Sequence, residues 1–211
     1  MQPGGMSGEV RAENGLGGMV AVDEIDLLRA RHYDLLATLL GRAPCGRVLS
    51  HVSDLTGDET ALGRALAALG RAGRDVTPQA IERDFFDVFI GVGRGKLLPY
   101  ASYYQTGFLN ERPLARVRED LGTLGLERSE GMSEPEDHAA ILLEVMAGLA
   151  SQRFDPEPGF EQRFFERHLK PWAIRFFEDL EKAAETDFYR AVGALGRSYL
   201  EIEAEAFALD A

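Results

Sequence analysis

Cysteine is nearly absent: Cys45 is the only one in 211 residues. No disulfide within the chain and no cysteine-based metal cage can form, which suits a reducing cytosol. No stretch reaches the roughly 18 continuous apolar residues of a membrane span. The first 22 residues, MQPGGMSGEVRAENGLGGMVAV, lack the basic start and long apolar run of a secretory signal. Basic residues are also in deficit, 23 against 35 acidic ones, for a net charge of −12. Such a surface repels phosphate backbones and anionic lipid heads, which disfavours nucleic acid and membranes as partners. A basic ligand, such as an arginine-bearing peptide, is instead attracted. Alternation with period 2 is missing too, and with it the signature of a half-buried strand.

What the chain has is helical periodicity. Residues 22–41, VDEIDLLRARHYDLLATLLG, begin with acids and end at a glycine, with Ile25, Leu28, Leu35, Leu36 and Leu39 along one face. Residues 58–73 form a second helical segment, and Pro78 opens a third, PQAIERDFFDVFIG. Pro113 starts a fourth, and a long helix is expected from about 133 to Arg153, stopped by the breaker FDPEPG. Three more follow, over 160–169, 171–184 and 187 to about 208. The pattern predicts an all-α fold: a single globular helical domain of seven or more helices over 23–211, preceded by a flexible N-terminal tail, 1–22.

GVGRGK, residues 91–96, has the look of a phosphate loop. A Walker loop needs a glycine at position 90 and a hydroxyl at 97, where this chain has Ile90 and Leu97. The dinucleotide pattern fails at its third glycine, which falls on Lys96, and a helix rather than a strand comes before it. The glycines read as a helix cap, with a looser anion contact through Arg94 or Lys96 as the nucleotide alternative. Beyond them, KLLPYASYYQTG sets Leu98, Pro99, Tyr100 and Tyr103 in a turn-like segment whose flat aromatic surface suits peptide binding.

The other dense stretch is SEPEDHAAILLEVMAGLA, 133–150. Ser133 and Glu136 have capping-box spacing, which places Asp137 and His138 in the first turn of the expected helix. There the helix dipole favours an ionised Asp137 and disfavours a charged His138. No Gly-x-Ser-x-Gly elbow occurs and Cys45 has no compelling partner, so no catalytic nucleophile is visible and no enzyme activity is expected. The histidines, His32, His51, His138 and His168, are scattered and lack the Glu-x-x-His spacing of di-iron bundles. Glu134 and His138 alone, four apart, do not make a metal site. In the last helix, Glu201, Glu203 and Glu205 read as a solvated acidic surface, and His168 and Trp172 of HLKPW as core.

The loop GVGRGKLLPYASYY, the segment EPEDHAAILLEVM and the downstream FFERHLKPWAIRFFEDLEKAAETDFYRAVGALGRSYLEIE together resemble the TorD/DmsD/NarJ family of cytoplasmic chaperones for redox enzymes. The resemblance runs from about residue 23 to 207. Its Leu-Pro-Tyr-x-Ser-x-Tyr motif is Leu98 to Tyr104; in its Pro-Asp-His motif, Glu136 stands between Pro135 and the intact Asp137-His138 pair. The resemblance implies a cytoplasmic all-helical chaperone that binds the twin-arginine signal peptide of a molybdenum-cofactor oxidoreductase precursor. Such clients include dimethyl sulfoxide or trimethylamine oxide reductases, nitrate reductases and formate dehydrogenases. By the resemblance, Pro99, Tyr100, Asp137 and His138 line the peptide groove. Glu134, Glu136 and Asp137 would meet the arginines, and Phe89, Leu98, Tyr100 and Tyr103 the apolar part. No cofactor is implied beyond weak guanine-nucleotide binding reported in some members. Contacts with the client's catalytic domain, a homodimer, and a helical interaction module without an export client stay open at this point.

Overall fold

The computed structural model describes residues 23–128 and 134–209. The tail expected over 1–22 and the cap expected at Ser133 lie outside the described residues. The chain is about 70% helical, and among the described residues there is no strand, only one isolated bridge between Tyr100 and His138.

Local chemistry explains where the helices begin. Helix α1, Glu24–Gly41, starts where the Asp23 carboxylate accepts the Ile25 N–H at 3.1 Å, with Glu24 and Asp26 in the positive first turn. After α2, Gly46–Ser53, the Thr60 hydroxyl caps α3, Ala61–Asp75, at Gly63 N, 3.0 Å. Thr77 caps α4, Pro78–Phe85, in the same way, with the proline in its first turn where a missing N–H is harmless. α4 then widens into a π-helical turn, Phe86–Ile90, which ends at Gly91.

Seven of the observed helices match periodic segments. These are α1, α3, α4, then α6 (Arg112–Thr123), α8 (Phe160–His168), α9 (Ala173–Ala183) and α10 (Asp187–Leu209). Two short helices, α2 and α5 (Ala101–Thr106), went unanticipated. The helix expected from 133 is shorter: α7 runs Ala139–Ala150. The chain from Glu134 to His138 is instead a turn, closed by His138 N–H to the Pro135 carbonyl at 3.0 Å.

α7 is the axis of the fold. Ten of its twelve residues are buried, so it is apolar nearly all round, as a central helix must be. α1 packs along it, α8 touches it, and α10 packs against α9, α3 and α1. One acidic position departs from the expected solvated face: Glu203 is buried and accepts hydrogen bonds from Arg29 (2.8 Å) and Tyr33 (2.8 Å). Arg29 also meets Glu161 at 2.6 Å and Asp26 at 2.9 Å, so one guanidinium joins α1, α8 and α10. His168 and Trp172 are core, as expected: the indole N–H donates to the His168 carbonyl at 2.6 Å, and the His168 ring meets Asp120 at 2.5 Å. No helix among the described residues is long and apolar enough to cross a membrane.

Candidate functional site

The glycine loop is a hinge built by the backbone. Gly91 N–H reaches back to the Phe86 carbonyl at 2.7 Å, Lys96 N–H to Asp87 O at 3.1 Å and Leu97 N–H to Val88 O at 2.8 Å. Gly91 adopts φ +61°, and a Cβ there would lie 2.1 Å from the Arg94 carbonyl oxygen, so only glycine fits. Both cations of the loop are engaged. Lys96 pairs with Glu185 at 2.7 Å, and Arg94 donates to the Tyr103 hydroxyl at 2.6 Å while lying over its ring.

The hinge delivers Pro99 and Tyr100 to the start of α7. Ala101 N–H donates to the Asp137 carbonyl at 3.0 Å and Ala139 N–H to the Pro99 carbonyl at 2.8 Å, a two-residue antiparallel junction. α5 has no cap of its own; the Asp137 carboxylate supplies one, accepting Ser102 N–H at 2.8 Å. Asp137 is 1% exposed, and its other oxygen and the Ser102 hydroxyl are buried without hydrogen-bond partners among the described residues.

His138 is the N-cap of α7: its Nδ1 accepts the Ala140 N–H at 3.1 Å. The hydrogen therefore sits on Nε2 of a neutral ring. Burial pushes its pKa down from 6.5 to about 4, against the nearby Glu134 and Asp137 carboxylates. The expected disfavouring of a charged His138 holds, with burial as its cause. Tyr100 meets the ring edge-on, 5.1 Å between centroids, and its hydroxyl donates to Glu134. Burial, together with Glu134, raises the pKa of that hydroxyl. Glu136 turns the other way, accepting from Arg118 on α6 at 2.9 and 3.0 Å. Its burial opposes ionisation, but Arg118 outweighs this and lowers its pKa.

Beside the junction lies a cavity of about 430 Å³ between α1 and α7. Glu134 and His138 line it with Ile141 and Glu144 of α7, and α1 supplies Asp34, Ala37, Thr38 and Gly41. The structure thus gathers Pro99, Tyr100, Glu134, Asp137 and His138 into one place, with Glu134 and His138 facing the cavity. Asp137 is not among the lining residues; it builds the site from behind. Tyr103 pairs with Arg94, and half-buried Leu98 engages locally through its carbonyl to Tyr100 N–H at 2.8 Å. The α1 wall and Glu144 were missed by the sequence reading. Their signal was faint: small residues three, four and seven positions after Asp34, at 37, 38 and 41, mark a helix face made for close approach. Among the described residues no cluster of side chains suits a metal ion.

Residues 55–178 match the model of the family described as nitrate reductase delta subunit. The chaperone protein TorD of Vibrio cholerae is 30% identical over 158 residues, covering 68% of this chain and 72% of the relative. TorD of Aliivibrio fischeri is 28% identical over 165 residues, covering 74% and 76%. A solved redox enzyme maturation protein from Archaeoglobus fulgidus shares the fold, with a TM-score of 0.59 at 18% identity over 88% of this chain and 99% of that one. A family match across more than half of the chain, together with relatives of this closeness, establishes that the chain belongs to the nitrate reductase delta subunit family of TorD-like redox-enzyme chaperones.

Proposed function

We propose that this protein holds the cytoplasmic precursor of a molybdenum-cofactor oxidoreductase by its twin-arginine signal peptide, in the groove between α1 and α7. Release for export would follow cofactor insertion and folding. The chain is a maturation chaperone and not an enzyme, in keeping with its TorD relatives. Fitting clients are precursors of dimethyl sulfoxide or trimethylamine oxide reductases, nitrate reductases and formate dehydrogenases.

The observation that carries the reading is the charge of the groove. Among the described residues, Asp34, Glu134 and Glu144 line it against a single cation, Arg42. Two of these carboxylates, Glu134 and Glu144, have no basic partner among the described residues. A pair of adjacent guanidiniums, each able to bind a carboxylate through two parallel hydrogen bonds, is the complementary ligand.

Calorimetric titration with a synthetic twin-arginine peptide tests this. Saturable binding is expected, about tenfold weaker after Glu134→Gln and weaker again when the peptide's arginines are lysines. No heat from the wild-type chain, or an unchanged affinity after Glu134→Gln, would remove the reading.

A further inference from the structure

The groove has a second compartment. Only two residues of α7, Ile141 and Glu144, escape burial, and both line not only the acidic cavity but also a neighbouring one of about 200 Å³. Leu121 near the end of α6 and Leu126 beyond it, with Val145 and Phe154, form its apolar walls. The far wall is set by a glycine: a Cβ on Gly148 would fall 2.2 Å from the Phe154 ring, so the ring lies directly on α7 there. Charges stand at its rim: Glu127, an engaged Arg128, Glu136 paired with Arg118 at 2.9 Å, and Arg153, which reaches Asp34 at 3.5 Å. One side of the Ile141–Glu144 divide is therefore acidic, and the other has apolar walls under a rim of mixed charge.

A further group points to a peptide rather than to a lone cation. His138 is 7% exposed and lines the acidic cavity; its Nδ1 is used by Ala140 N–H, so its Nε2–H has no acceptor among the described residues. That N–H is a donor left open to the cavity, and a carbonyl is its complement. The backbone of an extended peptide crossing from one compartment to the other supplies one.

We infer that the two cavities are subsites in series, divided by Ile141 and Glu144, which read a cationic-then-apolar order along one extended peptide. In this arrangement Glu134 and Glu144 take the guanidiniums, His138 Nε2–H donates to a backbone carbonyl, and Leu121, Leu126 and Phe154 hold an apolar side chain. The inference rests on the signal-peptide reading and adds to it a direction and two determinants, Glu144 and Leu126.

The test is a set of titrations with a peptide carrying two arginines before a leucine-rich stretch, the same composition in reverse order, and single replacements of each feature. The reversed peptide should bind about tenfold more weakly. Glu144→Gln should cost about tenfold with the original peptide and nothing once its arginines are glutamines, since the interaction energy appears only when both partners are present. Leu126→Ala should weaken binding only while the leucines are present. Equal affinity for both orders, or losses that do not depend on the matching peptide feature, would overturn the two-compartment arrangement while leaving peptide binding intact. Failure of the wild-type chain to bind any of these peptides would overturn the signal-peptide reading and this inference together.

Discussion

At the scale of single residues, the Asp137-His138 pair divides its labour. Asp137 accepts the Ser102 N–H and does not line the groove, so its carboxylate is a positioning group for α5. Asp137→Ala should lower unfolding stability by about 1–3 kcal/mol, since it removes a cap and leaves a buried N–H unanswered. Asp137→Asn should cost less, because its amide oxygen can still accept from the Ser102 N–H. Urea denaturation of the two variants checks the order, and the Asn variant should bind peptide nearly as the wild type does. His138 makes a separate prediction. Its folded pKa, about 4, lies below the ordinary 6.5, with Glu134 and Asp137 the carboxylates facing it. Between those values the unfolded chain binds more protons than the folded one, so stability is lost as pH falls through that window, by on the order of 3 kcal/mol. His138→Asn, which keeps a cap acceptor but cannot titrate, should flatten this slope in denaturation followed from pH 7 to pH 4. His168, also held low by burial, contributes the same sign in both proteins and cancels in the comparison.

At the scale of elements, the hinge from Gly91 to Gly95 decides where Tyr100 lands. Gly91→Ala forces a Cβ into the Arg94 carbonyl at positive φ, whereas Gly93, at φ +88°, has open space around it. Gly91→Ala should therefore cost roughly 2 kcal/mol or more and Gly93→Ala about 1, and equal losses in urea denaturation would refute the hinge geometry. The helices with strong apolar periodicity and their own caps, such as α3 and α4, were legible in the sequence. The two short ones were not: α5 takes its cap from Asp137, thirty-five residues away from Ser102 in the chain, so no local pattern announces it. The same long-range contact explains why α7 starts at Ala139 and not at the capping-box spacing near Ser133. Glu203 misled for a related reason. Its neighbours Glu201 and Glu205 are exposed, and only the arrival of Arg29 and Tyr33 from α1 makes its burial affordable. Of the site, the Tyr100 and His138 halves were readable as motifs, while the α1 wall, whose only marks are small side chains, was not.

At the scale of the whole molecule, one buried ion cluster and one net charge matter most. The groove exists only while α1 lies along α7, and Arg29 fastens α1 to α8 and α10 through Glu161 and Glu203. Glu203→Ala leaves a largely buried guanidinium short of its best partner and should destabilise by about 3–5 kcal/mol, measurable as a lowered urea midpoint. The net charge of −12 draws cationic segments toward the protein from a distance, so peptide affinity should fall as salt is raised from low to physiological strength. Salt-independent affinity would contradict an electrostatic role for the groove. The most direct test of the chaperone account is capture of the protein from its native cells under conditions that express molybdoenzymes, with mass spectrometry of what is retained. The account predicts a molybdoenzyme precursor with its twin-arginine signal still attached, recovered in smaller amount from Glu134→Gln. Recovery of the mature enzyme alone, or of no such enzyme, would contradict it.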